Sequence, residues 1–232
     1  MYNLPIPCVI LARKNSKGLK DKNIKKLNGL SLIEHSIIYA KKSKLITDII
    51  VSTDDIRIKK ISEKYKCFTI YPRPKKFSKD FSKSEPAIKH ALENFIKIKG
   101  KIDIYAYLQV TEPIRPKNIL DKCIKNLIKN KLIESSFAGF LMHKNFWVKK
   151  QKKFIKLNKS KVDFLPRQKR QEIYREDSGI SLASRYSLIK KGIRVGKKIK
   201  IQEYQGIEGL IDIHTKQDIL IANKITKTLN KL

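Results

Sequence analysis

Residues 6–12 read Ile-Pro-Cys-Val-Ile-Leu-Ala, an uninterrupted apolar run on which the prediction of the fold rests. A central strand of a parallel sheet is buried on both faces, so it lacks the apolar and polar alternation of a half-exposed strand. A polar loop follows, and then Ile33, Ile37 and Ala40 recur at helical spacing. The chain is therefore predicted to begin with a buried strand, a loop and an amphipathic helix.

The same alternation continues outward from this unit. Strand-like and helix-like segments follow one another at residues 48–52, 58–65, 68–71, 88–95, 103–109 and 120–128. Pro116 is expected in the first turn of the last of these helices, where a missing N–H costs nothing. Strands that alternate with helices form parallel sheets through right-handed crossovers. The predicted fold class is therefore α/β, with a doubly wound, mostly parallel sheet.

The alternation breaks between about residues 139 and 174, where no clean period survives and Phe146, Trp147 and Phe154 stand out. It resumes with strand-like segments at 179–183 and 198–204 and a final helix in which Ile221, Ala222 and Ile225 point inward. We predict one domain over residues 1–232 with an inserted arm at about 139–174. Large apolar side chains without a place in the sheet predict that this arm carries a dimer interface.

The net charge is +32, from 53 basic and 21 acidic residues, and invites a nucleic-acid interpretation. Only 9 of the basic residues are Arg, and the 44 Lys residues are spread from Lys14 to Lys231. Phosphate and base recognition favour the bidentate guanidinium of Arg, whereas scattered Lys solvates helix faces. We therefore expect no specific nucleic-acid partner.

Cys8, Cys67 and Cys123 are odd in number, far apart and set in apolar runs, which argues against a disulfide framework. Reduced thiols are typical of the cytoplasm. The first residues lack a basic segment followed by an apolar run, and no stretch approaches the ~20 apolar residues that span a bilayer. We expect a cytoplasmic protein with no membrane partner.

The loop after the first strand carries the chemistry, because ligands of doubly wound sheets bind beyond the carboxyl ends of strands. Arg13, Lys17 and Lys22 put three cations on this loop, and Ser16 and Asn23 add a hydroxyl and an amide. Such a set suits a triphosphate whose charge must be neutralised while pyrophosphate departs. A Lys-rich chain also produces Lys-rich surface loops, so the loop alone leaves a solvated surface segment open.

Further motifs support the first interpretation. Residues 11–18 read Leu-Ala-Arg-Lys-Asn-Ser-Lys-Gly, followed by Lys22-Asn23, and ordered matches continue with Ser-Thr-Asp at 52–54, Arg73-Pro74 and Leu-Gln-Val-Thr-Glu-Pro-Ile-Arg at 108–115. Over about residues 6 to 225 the chain resembles the CMP-sialic acid synthetases (acylneuraminate cytidylyltransferases), relatives of the CMP-Kdo synthetases. The resemblance implies a Rossmann-like nucleotidyltransferase that couples the CMP part of CTP to an acidic ulosonic sugar and releases pyrophosphate.

The resemblance also implies site roles. Arg13, Lys17 and Lys22 are expected to hold the CTP phosphates and carry catalysis, while Asn23 and Arg73 contact the nucleotide. It implies that Gln109 contacts the sugar. It further implies a homodimer in which the arm reaches the partner's site, where Arg167 meets the sugar carboxylate.

Residues 211–215 depart from the family pattern, because Ile-Asp-Ile-Asp-Thr becomes Ile-Asp-Ile-His-Thr. If this segment is a strand, Asp212 and His214 face the same side and can address one ion. Mg²⁺ prefers oxygen ligands, so His214 is open to four interpretations: a residue that acts on the ion through a water molecule, a ligand that favours Mn²⁺, a proton acceptor, or a structural residue. Residues 177–181 also differ from the family.

Three rival functions remain open from the sequence. The first is a nucleotidyltransferase for another sugar or base, the second is an inactive family member, and the third is a basic nucleic-acid-binding protein. The identity of the acceptor among the nonulosonic and octulosonic acids is not encoded in any recognised motif.

Overall fold

The computed structural model describes residues 2–14, 16, 18–78, 83–158 and 165–229. The first half of the chain alternates strands and helices. Its elements are β1 (Pro7–Ala12), β2 (Lys26–Leu27), β3 (Leu30–Ser31), α1 (Leu32–Lys41), β4 (Asp48–Thr53), α2 (Ile56–Lys64), β5 (Phe68–Ile70), α3 (Ser84–Lys99), β6 (Ile104–Gln109) and α4 (Ile119–Lys129).

The second half is richer in strands. Its elements are β7 (Ser135–Met142), β8 (Trp147–Lys150), β9 (Lys153–Lys156), β10 (Ile173–Glu176), β11 (Leu182–Arg185), α5 (Tyr186–Lys190), β12 (Ile199–Tyr204) and α6 (Lys216–Leu229). Within the part of the chain that the structure describes, no helix combines the length and the hydropathy that crossing a lipid bilayer requires.

The central sheet has eight strands. β5, β4, β1 and β6 run parallel in that order, and β11 joins β6 antiparallel. β7 pairs antiparallel with β11 and β10 along successive parts of one edge and parallel with β12. The predicted α/β, doubly wound, mostly parallel sheet is confirmed. Because β4 and β6 flank β1, a topological switch point lies beside the carboxyl end of β1, where such folds bind ligands.

β1 is buried on both faces, as its apolar run predicts. Cys8 and Ile10 belong to the core cluster that packs α1, α4 and α6 on one face of the sheet. Val9, between them, belongs to the cluster that packs α3 and α5 on the other face. Successive strand residues point to opposite faces, so an unbroken apolar run places a strand between two helical layers.

Two predicted boundaries are wrong. α4 begins at Ile119 and not at Pro116, because Asn118 adopts a left-handed conformation (φ 61°) immediately before it. The predicted strand at 179–183 is displaced, since a turn precedes β11 at Leu182–Arg185.

The arm is shorter than predicted. β7 continues to Met142 and pairs through it with Ile173 of β10, so the sheet holds both ends of the predicted insertion. We use "the arm" for residues 143–172, which contain the separate hairpin β8–β9. In the final helix, Ala222 is buried, but the predicted inward side chain of Ile221 is exposed.

Candidate active site

The loop between β1 and the 3-10 turn Lys22–Ile24 lies at the carboxyl edge of the sheet. The Asn23 amide donates a hydrogen bond to the Arg13 carbonyl (2.8 Å) across the base of the loop. On the outside, the Arg57 guanidinium donates to Asp21 (2.6 Å) and to Asp55, the N-terminal cap of α2. The loop backbone is therefore tied to the fold at both of its ends.

A cleft of about 310 Å³ opens beside this loop. It brings together six of the residues predicted to bind nucleotide or sugar: Arg13, Ser16, Lys22, Asn23, Arg73 and Gln109. The predicted phosphate contact Lys17 lies outside the described residues. Residues from the ends of β1, β5 and β6 thus converge on one concave surface, as expected for a switch-point site.

Lys22 lies on the wall of the cleft in a partly buried position. Burial lowers the pKa of its ammonium group, the Arg13 guanidinium lowers it further, and the Asp212 and Asp218 carboxylates oppose both effects. Two cations whose charges repel at short range are stabilised together when an anion binds between them. This pair suits a polyphosphate.

Arg73 is a buried cation, with only 4% of its surface exposed. Its Nε donates to the Ser78 hydroxyl (3.2 Å), and its Nη2 lies 3.7 Å from Asp54 without a hydrogen bond to any described residue. Burial lowers the pKa of this guanidinium. Asp54 also accepts a hydrogen bond from the Lys14 backbone N–H (2.8 Å), so one carboxylate contacts both Arg73 and the loop after β1.

Gln109 ends β6 at the floor of the cleft. Its side-chain amide donates to the Thr111 hydroxyl (3.0 Å), which fixes the direction of the side chain. The Thr111 carbonyl in turn accepts a hydrogen bond from the Ile213 backbone N–H (2.8 Å). This bond holds the segment 211–214 against the floor of the cleft.

Segment 211–214 alternates as predicted, although it is not assigned as a strand. Ile211 and Ile213 are buried, whereas Asp212 and His214 are exposed on the opposite side. The His214 Nε2 and the Asp212 carboxylate form a 2.8 Å hydrogen bond. The two predicted metal residues therefore lie on one side and touch each other.

The donor set at this segment is small. Among the described residues, no group of three or more His, Cys, Asp and Glu side chains is placed to hold a metal ion. Mg²⁺ often binds proteins through one or two carboxylates and takes its other ligands from substrate phosphates and water. Asp212, with an exposed carboxylate, fits such an ion, and the imidazole of His214 fits Mn²⁺ better than Mg²⁺.

Thr215 and Asp218, which belong to the same sequence motif, have a structural role. The Asp218 carboxylate accepts hydrogen bonds from the backbone N–H groups of His214 (2.8 Å) and Thr215 (2.7 Å), and the Thr215 hydroxyl accepts from the Asp218 N–H (3.2 Å). This reciprocal arrangement is a capping box that begins α6.

Arg167 does not line the cleft of its own chain. It borders a separate depression of about 240 Å³ with Phe140, Met142, His143 and Arg170, at the base of the arm. A role for Arg167 in the site of a partner chain stays a prediction.

Two functional candidates were missed by sequence reasoning. Arg194 and Lys83 also line the cleft, from the loop after α5 and from the residue before α3. Arg194 lies in no recognisable motif, whereas Lys83 belongs to residues 82–84, where the sequence departs from the family pattern in a segment that the resemblance places near the nucleotide. The only signal for Arg194 is its residue type, because Arg is rare among the basic residues of this chain.

Glu112 was also missed. It lines a neighbouring pocket of about 290 Å³ together with Arg175, Asp177 and Asp212. Its Oε2 is buried and has no hydrogen-bond partner among the described residues. Burial raises the pKa of Glu112 to about 7, Arg115 opposes the rise, and Asp212 and Asp177 add to it. A carboxyl group with this pKa changes charge near neutral pH.

Comparison with known proteins came from sequence and from structure. A model of the cytidylyltransferase family matches residues 7–221. Post-translational flagellin modification protein B from Campylobacter coli is 36% identical over 128 residues, which cover 54% of each chain. CMP-N,N'-diacetyllegionaminic acid synthase from Campylobacter jejuni is 40% identical over 87 residues, 38% of this chain and 37% of that relative.

The curated relatives are therefore matched over about half of their length or less. A solved structure of CMP:2-keto-3-deoxy-manno-octonic acid synthetase complexed with CTP superimposes with a TM-score of 0.70. It is 14% identical, and the superposition covers 97% of this chain and 99% of that chain. At this identity, the structural likeness supports the fold.

Proposed function

Because this chain belongs to the cytidylyltransferase family, we propose that it transfers the CMP part of CTP to an acidic ulosonic sugar and releases pyrophosphate. One observation carries the proposal: Arg13, Lys22, Arg73 and Gln109, from three separate strand ends, line one cleft at the switch point of the sheet. The cations match a triphosphate, and the amide of Gln109 offers hydrogen bonds to a polyhydroxylated acceptor.

In the proposed reaction, the anomeric hydroxyl oxygen of the sugar forms a bond to the α-phosphorus of CTP. The bond from that phosphorus to the oxygen bridging the β-phosphate breaks, and pyrophosphate leaves in line. Arg13 and Lys22 neutralise the charge that builds on the phosphate oxygens, and Lys17 belongs to the same proposed set. Positioning and electrostatic stabilisation supply most of the rate in such a displacement.

Arg73 and Asn23 are assigned to the nucleotide, with Ser16 beside them on the same wall of the cleft. The free donors of Arg73 support this role, because its Nη2 has no hydrogen-bond partner among the described residues. The amide nitrogen of Asn23 already donates to the Arg13 carbonyl, so Asn23 also holds the loop in place.

Mg²⁺, with Mn²⁺ as the alternative, is the proposed cofactor, and when bound it neutralises phosphate oxygens and orients them. Asp212 is the proposed protein ligand, and His214 is placed beside it. The proton of the attacking hydroxyl needs an acceptor, and the candidate is Nδ1 of His214, because Nε2 of the same ring already forms the hydrogen bond to Asp212. Its hydrogen bond to Asp212 orients the ring and stabilises the protonated imidazole.

A homodimer is proposed for the working enzyme. In the arm, Trp147 and Phe154 expose 59% and 66% of their surfaces, and Ile155 and Leu157 are exposed beside them. Trp147 and Phe154 lie on one face of the hairpin β8–β9, and Ile155 lies on the other face. Exposed aromatic side chains that share a face are typical of the buried centre of an interface. A partner seated on the arm would bring Arg167 towards the partner's acceptor site, as the family resemblance implies.

The acceptor class follows from the named relatives and from the reaction. One relative is named as a CMP-N,N'-diacetyllegionaminic acid synthase, so nonulosonic acids come first and octulosonic acids second. The three free cysteines support a reducing, cytoplasmic location for this activity.

The test is a matrix of nucleotides and acceptors. Purified protein is incubated with CTP, UTP, GTP or ATP, a divalent metal and one ulosonic acid, and pyrophosphate release is measured. Mass spectrometry of the products should find a CMP-sugar with CTP and no product with the other nucleotides. The proposed activity would be refuted if none of the ulosonic acids yielded a CMP-sugar, even where pyrophosphate is released.

A further inference from the structure

Arg194 lines the cleft from the loop after α5. Its side chain is 25% exposed and its guanidinium lies over the ring of Tyr107, 5.7 Å from the ring centre. Its nearest acidic neighbour is Glu85, at 3.9 Å, a distance too long for a hydrogen bond. To the residues that the structure describes, this guanidinium donates no hydrogen bond.

Two other arginines with little exposed surface, Arg185 and Arg115, are used differently. Arg185 donates to Asp103 (2.6 Å) and to the carbonyls of Leu127 and Ile133. Arg115 donates to the carbonyls of Ile180 and Gln109. These two arginines join elements of the fold, and most of their donors are occupied. Arg194, in contrast, lines the cleft and donates none of its five N–H groups in a hydrogen bond to a described residue.

The side of the cleft on which Arg194 lies indicates which substrate it meets. Arg73 and Asn23, assigned to the nucleotide, belong to the β1, β4 and β5 side of the sheet. Tyr107, beneath Arg194, lies on β6 two residues before Gln109, so both side chains point to the same face. Gln109 is the proposed sugar contact, and Arg194 therefore lies on the acceptor side.

The chemistry of this wall narrows the group that it can bind. Tyr107 and Ala87 supply a buried apolar surface, and Arg194 and Lys83 supply cations at its edge. A guanidinium is planar and presents parallel N–H donors. It therefore recognises carboxylates, whose two oxygens lie side by side, and it also donates to amide carbonyl oxygens. An acidic sugar offers a carboxylate, and an acylated one also offers an acyl oxygen.

We propose that Arg194 is a specificity-determining residue that donates hydrogen bonds to a carboxylate or acyl oxygen of the acceptor sugar. This inference rests on the proposed function and deepens it, because it assigns acceptor choice to the loop after α5 and not to the phosphate loop. Replacing Arg194 should change which sugar is used and leave the use of CTP intact.

The experiment measures steady-state kinetics of the full chain with CTP and three acceptors: N-acetylneuraminic acid, N,N'-diacetyllegionaminic acid and Kdo. Arg194→Met should raise KM for the acceptor by at least about tenfold, the effect of losing a charged hydrogen bond. KM for CTP should stay within about twofold of the parent value. Arg194→Lys should restore part of the affinity, since it keeps the charge but loses the fork.

The acceptors separate the two sources of oxygen. An effect on the acylated sugars alone assigns the contact to the acyl oxygen, whereas an equal effect on Kdo, which carries only the carboxylate, assigns it to the carboxylate. Lys190→Met, an exposed change on α5 with the same loss of charge, is the matched control and should resemble the parent.

Two results overturn the inference: an unchanged acceptor KM in a folded Arg194→Met protein, or a loss that falls on CTP. Thermal unfolding of each variant separates a folding defect from a binding defect, and a variant that binds CTP with parental KM is folded. Failure of the proposed function looks different, because the parent itself would then form no CMP-sugar with any acceptor.

Discussion

A methyl group on Gly18 would come within 2.9 Å of the main-chain carbonyl oxygen of His214. The loop after β1 and the segment 211–214 are therefore in backbone contact at this point, and only a residue without a side chain allows it. This contact fixes the position of the loop, which carries Arg13 and Lys22, relative to the carboxylate of Asp212.

Gly18→Ala should lower kcat/KM for CTP by roughly ten- to a hundredfold, because a shift of about 1 Å in catalytic groups has effects of this size. Either the carbonyl of His214 or the loop would have to move, and the loop carries the proposed phosphate contacts Arg13 and Lys22. Lys20→Ala, an exposed change in the same loop, serves as the control. Parental kinetics in a folded Gly18→Ala protein would show that the contact between the loop and segment 211–214 does not position catalytic groups.

Lys22→Met should lower kcat/KM for CTP by at least about tenfold, since losing a charged hydrogen bond in a partly desolvated site costs about 1.5–3 kcal/mol. Lys25→Met, three residues further on and exposed, should behave as the parent does. Initial rates over a range of CTP concentrations provide the measurement. Equal rates for the two variants would remove Lys22 from the active site.

Substitutions of His214 test whether the residue acts at the metal site or is structural. His214→Asp should retain metal-dependent activity and shift the preference from Mn²⁺ towards Mg²⁺, because it replaces a nitrogen donor with oxygen. His214→Ala should lose much more activity with either ion. Titrations with both metals for all three proteins provide the measurement. If His214→Ala keeps parental activity and metal preference, the residue is structural.

The raised pKa of Glu112 should make the stability of the fold depend on pH. Burial raises its pKa from the usual 4.5 to about 7, so between these values the unfolded chain loses this proton while the folded chain keeps it. The stabilisation is complete below pH 4.5 and is lost as the pH rises to about 7.

Glu112→Gln, which cannot ionise, should raise Tm relative to the parent at pH 8 and change it little at pH 4.5. Thermal unfolding in buffers with EDTA measures both, and Glu176→Gln, an exposed carboxylate of the same pocket, is the control. A difference in Tm that does not change between the two pH values would show that the buried charge is absent.

The arm should hold the dimer together. Sedimentation at low micromolar concentration should find a dimer for the parent and a monomer for the double variant Trp147→Ser and Phe154→Ser, because both side chains are exposed in the single chain. Ile98→Ser removes an exposed apolar side chain on α3 and should stay dimeric. A parent that sediments as a monomer would contradict the proposed interface.

The sequence predicts the centre of the fold well because burial leaves a plain pattern there. The apolar run of β1 and the helical spacing of α1 and α3 admit one arrangement, with the cationic loop at the carboxyl edge. The loop motif then locates Arg13 and Lys22. These predictions depend on local pattern and on a general rule about strand ends.

The rest depends on contacts that no local pattern carries. Leu141 and Met142 extend β7 because β10, some 30 residues later, pairs with them, and the polar residues Arg175 and Glu176 of β10 hide its strand character. Arg194 reaches the cleft only after α5 has packed beside α3. The high pKa of Glu112 arises from burial, which depends on the whole fold.

The pairing of Met142 with Ile173 fixes the two ends of the arm on neighbouring strands. Residues opposed in an antiparallel pair lie about 5 Å apart, a distance that a turn of two to five residues can close. The arm is thus an insertion into the hairpin formed by β7 and β10, and the pairing of these two strands does not depend on the length of the arm. A lineage can lengthen, shorten or exchange this segment, and with it the proposed subunit contacts, while the central sheet stays unchanged.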